Sequence, residues 1–547
     1  MSTGKQSAGH SGDGAGETER VARAAGTIGL FTLLSRILGF IRDMVVARLF
    51  GASAVADAFF VAFRIPNLLR ELLAEGSMSA AFVPVFTEKL ANGSRREAWE
   101  LASRVFTLLL VVLVAATCLG ILVAPLIVSV IAPGFDGDGR QRELTVLLTR
   151  IMFPYLLFIG LSALAMGILN ALRAFALPAL APLAFNMGII GCALWVAPAM
   201  EQPALGLALG VLLGGLGQFA IQLPGLMRAR MVPRLAWAPG DPDVRRIGRL
   251  MLPMLFGLSV TQVNLLVNTL LASFLDEGSV SYLYYGMRLI HFPLGVFGVA
   301  LATAILPTLS TMAARGDRPA MARGVADALG LVLFVTVPAM AGLIALRGPI
   351  VGVLFERGAF DAAATVGTAS AVLAYATGLW AFAGVRIVAS TFYALKDTAT
   401  PVRVAALAMA VNILLNLVLM GPLAHTGLAL ATALAAMLNV GLLLFALGRR
   451  LPELDLGAVV PGALRTAAAA LAMGAGCAWV AGRPLWDGGG TAVRAGWLVV
   501  SVVGFGMLYL LAHRALGGRE GGILLAALRR RRRRAGDGGG GIGPPGR

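Results

Sequence analysis

The groups in this chain whose placement could do chemistry are arginines. Arg36, Arg42 and Arg70 lie within the first apolar stretches, and Arg288 stands much later. Asp43, Asp57, Arg64, Glu71 and Glu75 accompany the first three, flanked by lipid-compatible sequence such as TLLSRILGFIRDMVVARLF and DAFFVAFRIPNLLRELLAEGS. A cation at the bilayer centre costs roughly 2.5 kcal/mol or more even on lenient insertion scales, so such groups face a water-filled cavity or a partner. Arginine keeps its charge and offers a planar fork that fits phosphate oxygens. The eighth apolar stretch holds Arg288 and no acidic residue, so pairing does not absorb all the positive charge. A cavity lined by Arg36, Arg42, Arg70 and Arg288 is expected to take a pyrophosphate or another multiply anionic head group. Acidic neighbours would keep the grip loose enough for release.

Helical geometry sorts these residues by face. Arg36 and Asp43 are seven residues apart and share nearly one face, with Arg42 rotated away by about a third of a turn. Ser35 and Gly39 make a small-xxx-small pair suited to close helix contact. Asp57 and Arg64 share a face, as do Glu71 and Glu75, while Arg70 points elsewhere. Asp43, Glu71 and Glu75 have two readings, as cavity groups or as intramembrane ion pairs that lock helices together. Arg48 and Arg64, nearer the span ends, are expected to snorkel to the interface. The Gly-rich run 210–217 lacks the strand and lysine of a phosphate loop and is expected to pack helices. There is no nucleophile elbow, HExxH or Asp-rich metal motif, and the four histidines are scattered, so neither an enzyme nor a metal site is indicated.

The elements that must position these groups are transmembrane helices. Of 547 residues, 58% are hydrophobic and 13% charged, against about 25% charged in a soluble chain. Mean hydropathy is +0.83. With roughly 20 apolar residues per crossing, fourteen spans are expected near 24–50, 55–88, 99–131, 143–171, 178–199, 203–227, 247–275, 279–313, 321–347, 365–395, 401–421, 424–448, 461–482 and 493–516. The second is too long for a simple crossing and contains Pro66, Gly76 and Pro84, so a bent or broken helix is expected. Cys118, Cys192 and Cys477 fall inside spans with no close partner and predict no disulfide framework.

Basic residues alternate between loops. Lys89, Arg95 and Arg96; Arg173; Arg228, Arg230, Arg234, Arg245 and Arg246; Arg315, Arg318 and Arg323; Lys396 and Arg403; and Arg449 and Arg450 occupy every second loop. By the positive-inside rule both termini are cytoplasmic, and an even span count agrees. The net charge of +17 follows from that topology and does not call for nucleic acid. The Arg529–Arg534 run reads as an anchor near anionic lipid. Residues 1–23 read as a disordered cytoplasmic tail and 517–547 as a basic disordered cytoplasmic tail.

A repeat is also visible. GILNALRAFALPALAP aligns with STFYALKDTATPVRVA at an offset of 223, which pairs Arg173 with Lys396 and Pro178 with Pro401. The same offset takes Pro84 to Pro307, and 224 takes Arg64 to Arg288. The expected fold is therefore an all-α polytopic membrane protein. Two parallel six-helix repeats, 24–229 and 230–448, surround a central cavity, and 449–516 supplies two extra helices outside the repeat.

The blocks SRILGFIRDMVVARLFGAS, ADAFFVAFRIPNLLRELLAEGSMSAAFVPVF and GSVSYLYYGMRLIHFPLGVFGVALATAILPTLS closely resemble the bacterial lipid II flippase family, MurJ or MviN. The likeness runs from about residue 24 to the fourteenth span. That family belongs to the multidrug/oligosaccharidyl-lipid/polysaccharide exporter superfamily. The resemblance implies fourteen helices in two lobes, alternating access, and a groove for the polyprenyl tail beside the last two helices. It implies a flippase of the cell inner membrane that moves lipid II, the undecaprenyl-pyrophosphate-linked peptidoglycan precursor, to the outer leaflet. Lipid II, membrane lipids and the peptidoglycan-synthesis machinery are the implied partners. Carried over by motif, the substrate-binding residues are Ser35, Arg36 and Arg42 of SRILGFIRD, Asp57 of ADAFF, Arg70 and Glu75 of LLRELLAEG, and Arg288 of YYGMRL. His291 stands where some relatives carry Glu or Gln. Some relatives bind sodium through acidic residues of the seventh and eleventh helices. The matching spans hold only Asn264, Asn268, Asn412 and Asn416, which argues against an ion site. No cofactor is expected, and coupling to the membrane potential or an ion stays open.

Two rivals make different demands. A cation-coupled drug exporter of the same superfamily would have twelve spans and an acidic cavity. A non-transporting scaffold for wall-synthesis proteins would tolerate single neutralisation of every cavity charge.

Overall fold

A computed structural model describes residues 13–71, 78–137, 139–486, 488, 490–518 and 520–522. The chain divides into two compact units, Met1–Val280 with Arg357–Phe360, and Ser281–Glu356 with Asp361–Arg547. Regular structure among the described residues is helical. The first unit holds α1 (Asp13–Phe50), α2 (Ala54–Arg70), α3 (Met78–Asn92), α4 (Arg95–Leu122), α5 (Ala124–Ile131), α6 (Arg140–Met152), α7 (Tyr155–Ala171), α8 (Ala176–Gly191), α9 (Pro203–Ala220), α10 (Leu223–Arg228) and α11 (Pro242–Ala272). The second holds α12 (Ser279–Pro293), α13 (Val299–Ala314), α14 (Arg318–Ala345), α15 (Arg347–Phe355), α16 (Ala362–Thr377), α17 (Leu379–Ala394), α18 (Ala399–Arg450), α19 (Val460–Ala481) and α20 (Thr491–Ala515).

Eight helical stretches among the described residues are long and apolar enough to cross a membrane, or nine if α16 and α17, bent by 42°, count as one. Each stretch expected to span carries helix, in one piece or in series. The number fourteen itself rests on the sequence. Ala424, with φ 47° and ψ −133°, marks the break inside α18 where the eleventh and twelfth expected spans meet. The outer faces are apolar, with Val499, Val502, Val503, Leu510 and Leu511 of α20 all exposed, as a lipid-facing helix requires.

The expected boundaries shift in three places. Helix α1 begins at Asp13, so 13–23 is helical and not disordered tail; ETERVARAA is rich in strong helix formers that an apolar window passes over. At the other end, His513 Nε2 lies 3.4 Å from Glu520 Oε2, so the chain folds back beyond 516 before entering 523–547, which is outside the described residues. The first unit also runs past 229 to take in α11. Lys89 Nζ meets Asp243 Oδ2 at 2.9 Å, Arg104 Nη1 meets Asp241 Oδ2 at 2.5 Å and Arg246 Nη1 meets Glu88 Oε2 at 3.0 Å, tying the start of α11 to α3 and α4.

Asp241 also caps α11. Its Oδ1 accepts the backbone N–H groups of Asp243 and Val244 at 2.9 and 3.2 Å. Burial disfavours its charged form, but those N–H groups and the Arg104 guanidinium outweigh burial and hold the carboxyl below its ordinary range. A depressed carboxyl contributes stability that is present above its unfolded pKa of about 4 and is lost as pH falls through the lower folded value. Asp241→Asn is expected to lower the unfolding temperature at neutral pH and to flatten its fall below about pH 4. Parallel curves for the two proteins would contradict the depressed carboxyl.

Glycine sets the approach of α8 and α9. A Cβ on Gly188 would lie 2.5 Å from Gly214 Cα, one on Gly210 2.9 Å from Ile189 Cα, and one on Gly214 2.7 Å from the Phe185 carbonyl. The Gly-rich run therefore packs helices, as expected. Gly210→Ala should cost about 1–3 kcal/mol by overpacking, read as a lower unfolding temperature in detergent; an unchanged midpoint would disprove so close a contact. In the second unit α19 and α20 pack on α14 through Phe334, Ala469, Ala470, Met473 and Tyr509. The Tyr509 hydroxyl donates to the Phe334 carbonyl at 2.7 Å.

Main chain meets main chain at the end of α1. Gly51 (φ +62°) would bring a Cβ within 2.3 Å of the Ala359 carbonyl oxygen, and Gly358 (φ +61°) within 2.4 Å of that of Arg48. Between them the Ala359 N–H donates to the Arg48 carbonyl at 2.9 Å.

The repeat has a backbone counterpart. Helix α7 ends with Arg173 N–H bonded to the Asn170 carbonyl and Ala174 N–H to Leu169, and α17 ends with Lys396 bonded to Tyr393 and Asp397 to Phe392. Arg173 (φ 59°) and Lys396 (φ 60°) are both left-handed. This is the same helix-terminating motif at an offset of 223.

Candidate anion-binding site

Helix α1 holds Ser35, Arg36 and Arg42, and α8 supplies the group that joins two of them. The Asn186 amide donates to the Ser35 carbonyl at 3.3 Å and to the Pro182 carbonyl at 3.0 Å, and its oxygen accepts from Arg42 Nη1 at 3.3 Å. Arg42 Nε and Nη2 donate to Asp43 Oδ1 at 3.0 and 2.7 Å. The Arg42 side chain is 12% exposed and that of Asp43 2%. Asp43 thus pairs with its neighbour within α1, and Arg42 is held in a fixed orientation. Arg36 is exposed, and no ion pair of its guanidinium is recorded among the described residues.

Helix α2 presents a ladder to α11. Residues 57, 64 and 71 are seven apart and so share a face. Asp57, buried, accepts the Gly278 N–H on Oδ2 at 2.8 Å. Arg64 Nε donates to Thr269 Oγ1 at 3.2 Å, and Gln262 donates to Glu71 Oε2. The partners descend 278, 269, 262 as the α2 residues rise, so the two elements run antiparallel. Glu277 Oε1 adds a bond from the Ala54 N–H at 2.7 Å. Arg64 was expected to snorkel but bonds across to α11, because its polar partner lies within reach of the guanidinium. This ladder is why α11 packs within the first unit.

Arg70 sits off the ladder face. Its Nε donates to Asn67 Oδ1 at 3.1 Å and its Nη2 lies 3.7 Å from Glu71 Oε1, with a quarter of the side chain exposed. Asn67 in turn donates to Glu71 Oε1 at 3.1 Å. Glu75 falls in 72–77, outside the described residues.

Arg288 belongs to α12 in the second unit and is partly exposed. His291 stands one turn further on and feels the charges of both Arg288 and Arg386. Arg386, on α17, is a cation inside an apolar stretch that the opening criterion finds in AFAGVRIVAS as readily as Arg288. Asn186, Asn67 and Gln262 carried no such signal, since a neutral amide does not stand out by charge. In α18 the Asn416 amide donates to Asn412 Oδ1 at 3.0 Å, with both side chains buried. Among the described residues no group of three or more His, Cys, Asp and Glu could hold a metal. Cys118 is exposed on α4, whereas Cys192 and Cys477 are buried.

Guanidinium groups fixed by a carboxylate and an amide, beside one without such a pair, can bind phosphate oxygens in a bidentate way. They supply no nucleophile or proton relay.

Comparison with known proteins adds the identity of the fold. A family model described as lipid II flippase MurJ matches residues 46–490. The probable lipid II flippase MurJ of Vibrio cholerae is 42% identical over 433 residues, covering 78% of this chain and 82% of the relative. The lipid II flippase MurJ of Burkholderia cenocepacia is 40% identical over 432 residues, covering 78% and 84%. A solved lipid II flippase MurJ in an inward closed conformation superposes with a TM-score of 0.74 at 27% identity, over 89% of this chain and 97% of that one. An inward-facing multidrug resistance MATE transporter shares the fold alone, with a TM-score of 0.67 at 14% identity over 77% and 95%. With a family match across most of its length and relatives above the level at which families separate, this chain belongs to the MurJ family of lipid II flippases.

Proposed function

We propose that Arg36, Arg42, Arg70 and Arg288 grip the pyrophosphate of lipid II while the protein carries it by alternating access from the cytoplasmic to the outer leaflet of the inner membrane. As a family member the protein is a multi-pass membrane transporter of lipid II and not an enzyme. The reading of its site rests on Arg36, an exposed guanidinium on a helix of membrane-spanning length. A charge left so in an apolar helix costs several kcal/mol unless water or an anion meets it. Ser35, Asp57 and Glu75 complete the polar surroundings in this proposal. The lobes 24–229 and 230–448 would flank the cavity, and 449–516 would hold the polyprenyl tail. Both termini would be cytoplasmic, with the peptidoglycan-synthesis machinery taking the product outside.

Depleting the protein in its host while labelling the precursor tests the direction of transport. Labelled lipid II should accumulate on the inner leaflet within a generation of depletion. Unchanged delivery to the outer leaflet would overturn the proposal.

A further inference from the structure

The chain between α10 and α11 is laid along α4 as an extended strap. Arg95 Nη2 donates to the Ala229 carbonyl at 2.5 Å, and Trp99 Nε1 to the Val232 carbonyl at 2.8 Å. Ser103 and Thr107, one turn apart, each donate to the carbonyl one turn back and each accept a strap N–H, from Arg234 at 3.1 Å and Ala236 at 2.7 Å. Arg104 and Asp241 close the far end. Alternate residues of an extended chain share a face, and the pair so presented is Leu235 with Trp237, 63% exposed. Tryptophan with an apolar body and a polar edge favours the membrane interface.

Immediately after the strap the first turns of α11 themselves form an open, shallow depression of about 390 Å³, lined by Pro242, Asp243, Arg246, Arg249 and Leu250. Arg246 is half-exposed and leans on Glu88 at 3.0 Å. Arg249 is exposed, and no ion pair is recorded for it among the described residues. Leu250 and Leu252 follow at once, both exposed. Arginines give way to exposed leucines within one helical turn, the pattern of a helix end at a head-group boundary. Solvated surface arginines need no exposed leucine one turn along the same face, as Leu250 stands to Arg246.

We infer that this depression is a binding site for an anionic phospholipid of the bilayer, its phosphate between Arg246 and Arg249 and an acyl chain over Leu250, one turn beyond Arg246 on the same face, with Leu235 and Trp237 of the strap as further apolar surface. The site is separate from the arginines of α1 and α2. It rests on the proposed topology only for the name of the leaflet.

The test uses the full-length protein, delipidated in detergent, with phosphatidylglycerol, phosphatidylcholine or inorganic phosphate as probe. Lipids brominated in the acyl chain quench a nearby tryptophan, and a Trp237→Phe variant isolates that signal from the other six of the seven tryptophans. Each cation near a lipid surface is worth about a fivefold change in binding. Phosphatidylglycerol should therefore quench Trp237 at concentrations about 25-fold below phosphatidylcholine. Arg249→Gln should reduce that preference about fivefold without moving the unfolding temperature, and Arg249→Lys should retain it. An unaltered preference in Arg249→Gln overturns the site. Displacement of phosphatidylglycerol by millimolar inorganic phosphate would show a soluble-anion site and overturn the lipid. Labelling of Arg249→Cys by an impermeant thiol reagent from the outer face alone would refute the topology while leaving the lipid preference to stand or fall by quenching.

Discussion

Replacing Arg36 by alanine is expected to lower lipid II flipping at least tenfold in reconstituted vesicles, with the unfolding temperature unchanged. A hydrogen bond to a charged group contributes about 1.5–3 kcal/mol, or roughly 10- to 150-fold in an equilibrium. Arg36 has no recorded ion pair among the described residues, so its removal strands no buried carboxylate. Arg42→Ala is a contrasting case. It leaves the buried Asp43 and the Asn186 oxygen without the guanidinium, and breaking such a buried pair costs about 3–5 kcal/mol. That variant should lose stability and flipping together. Arg36→Lys keeps the charge and loses the fork, so it should recover part of the rate. Wild-type flipping by Arg36→Ala, Arg70→Ala and Arg288→Ala alike would end the pyrophosphate grip.

Gly51→Val is expected to destabilise the protein by about 2–5 kcal/mol, through two independent terms. The left-handed backbone at φ +62° disfavours any side chain by about 1–2 kcal/mol, most of all a β-branched one. The new Cβ would sit 2.3 Å from a carbonyl oxygen that belongs to backbone and cannot rotate away, and overpacking of that kind adds about 1–3 kcal/mol. Gly51→Ala should show most of the loss, because both terms begin at the Cβ. Thermal unfolding in detergent measures it, and a midpoint within one degree of wild type would show that 357–360 does not seat on α1.

Spans, their order and the charged faces of α1 and α2 were legible, because hydropathy over twenty residues and a seven-residue spacing are local properties. So was the packing role of the Gly-rich run, which had no strand before it. Partnership was not legible. Asn186 and Gln262 reach Arg42 and Glu71 from 144 and 191 residues away, and nothing in a neutral amide announces its target. The limit of the first unit escaped for the same reason. A repeat of 223 residues divides the chain by sequence likeness, whereas the ladder of Asp57, Arg64 and Glu71 divides it by contact. Arg386 was within reach of the charge criterion and was passed over inside a long apolar stretch. Asp57 reads in sequence as a cavity charge and in three dimensions accepts the backbone N–H of Gly278.

The left-handed Arg173 and Lys396 carry a conformational cost. Neither position demands a cation, and glycine would relieve about 1 kcal/mol at each. The same closure also stands at Arg230 (φ 51°), where Arg230 bonds to the Met227 carbonyl and Met231 to Leu226, so it is a recurrent way this chain stops a helix, and two of its occurrences fall 223 residues apart. At each of the three a cation stands at a helix C-terminus, where the helix dipole favours positive charge and offsets part of the strain.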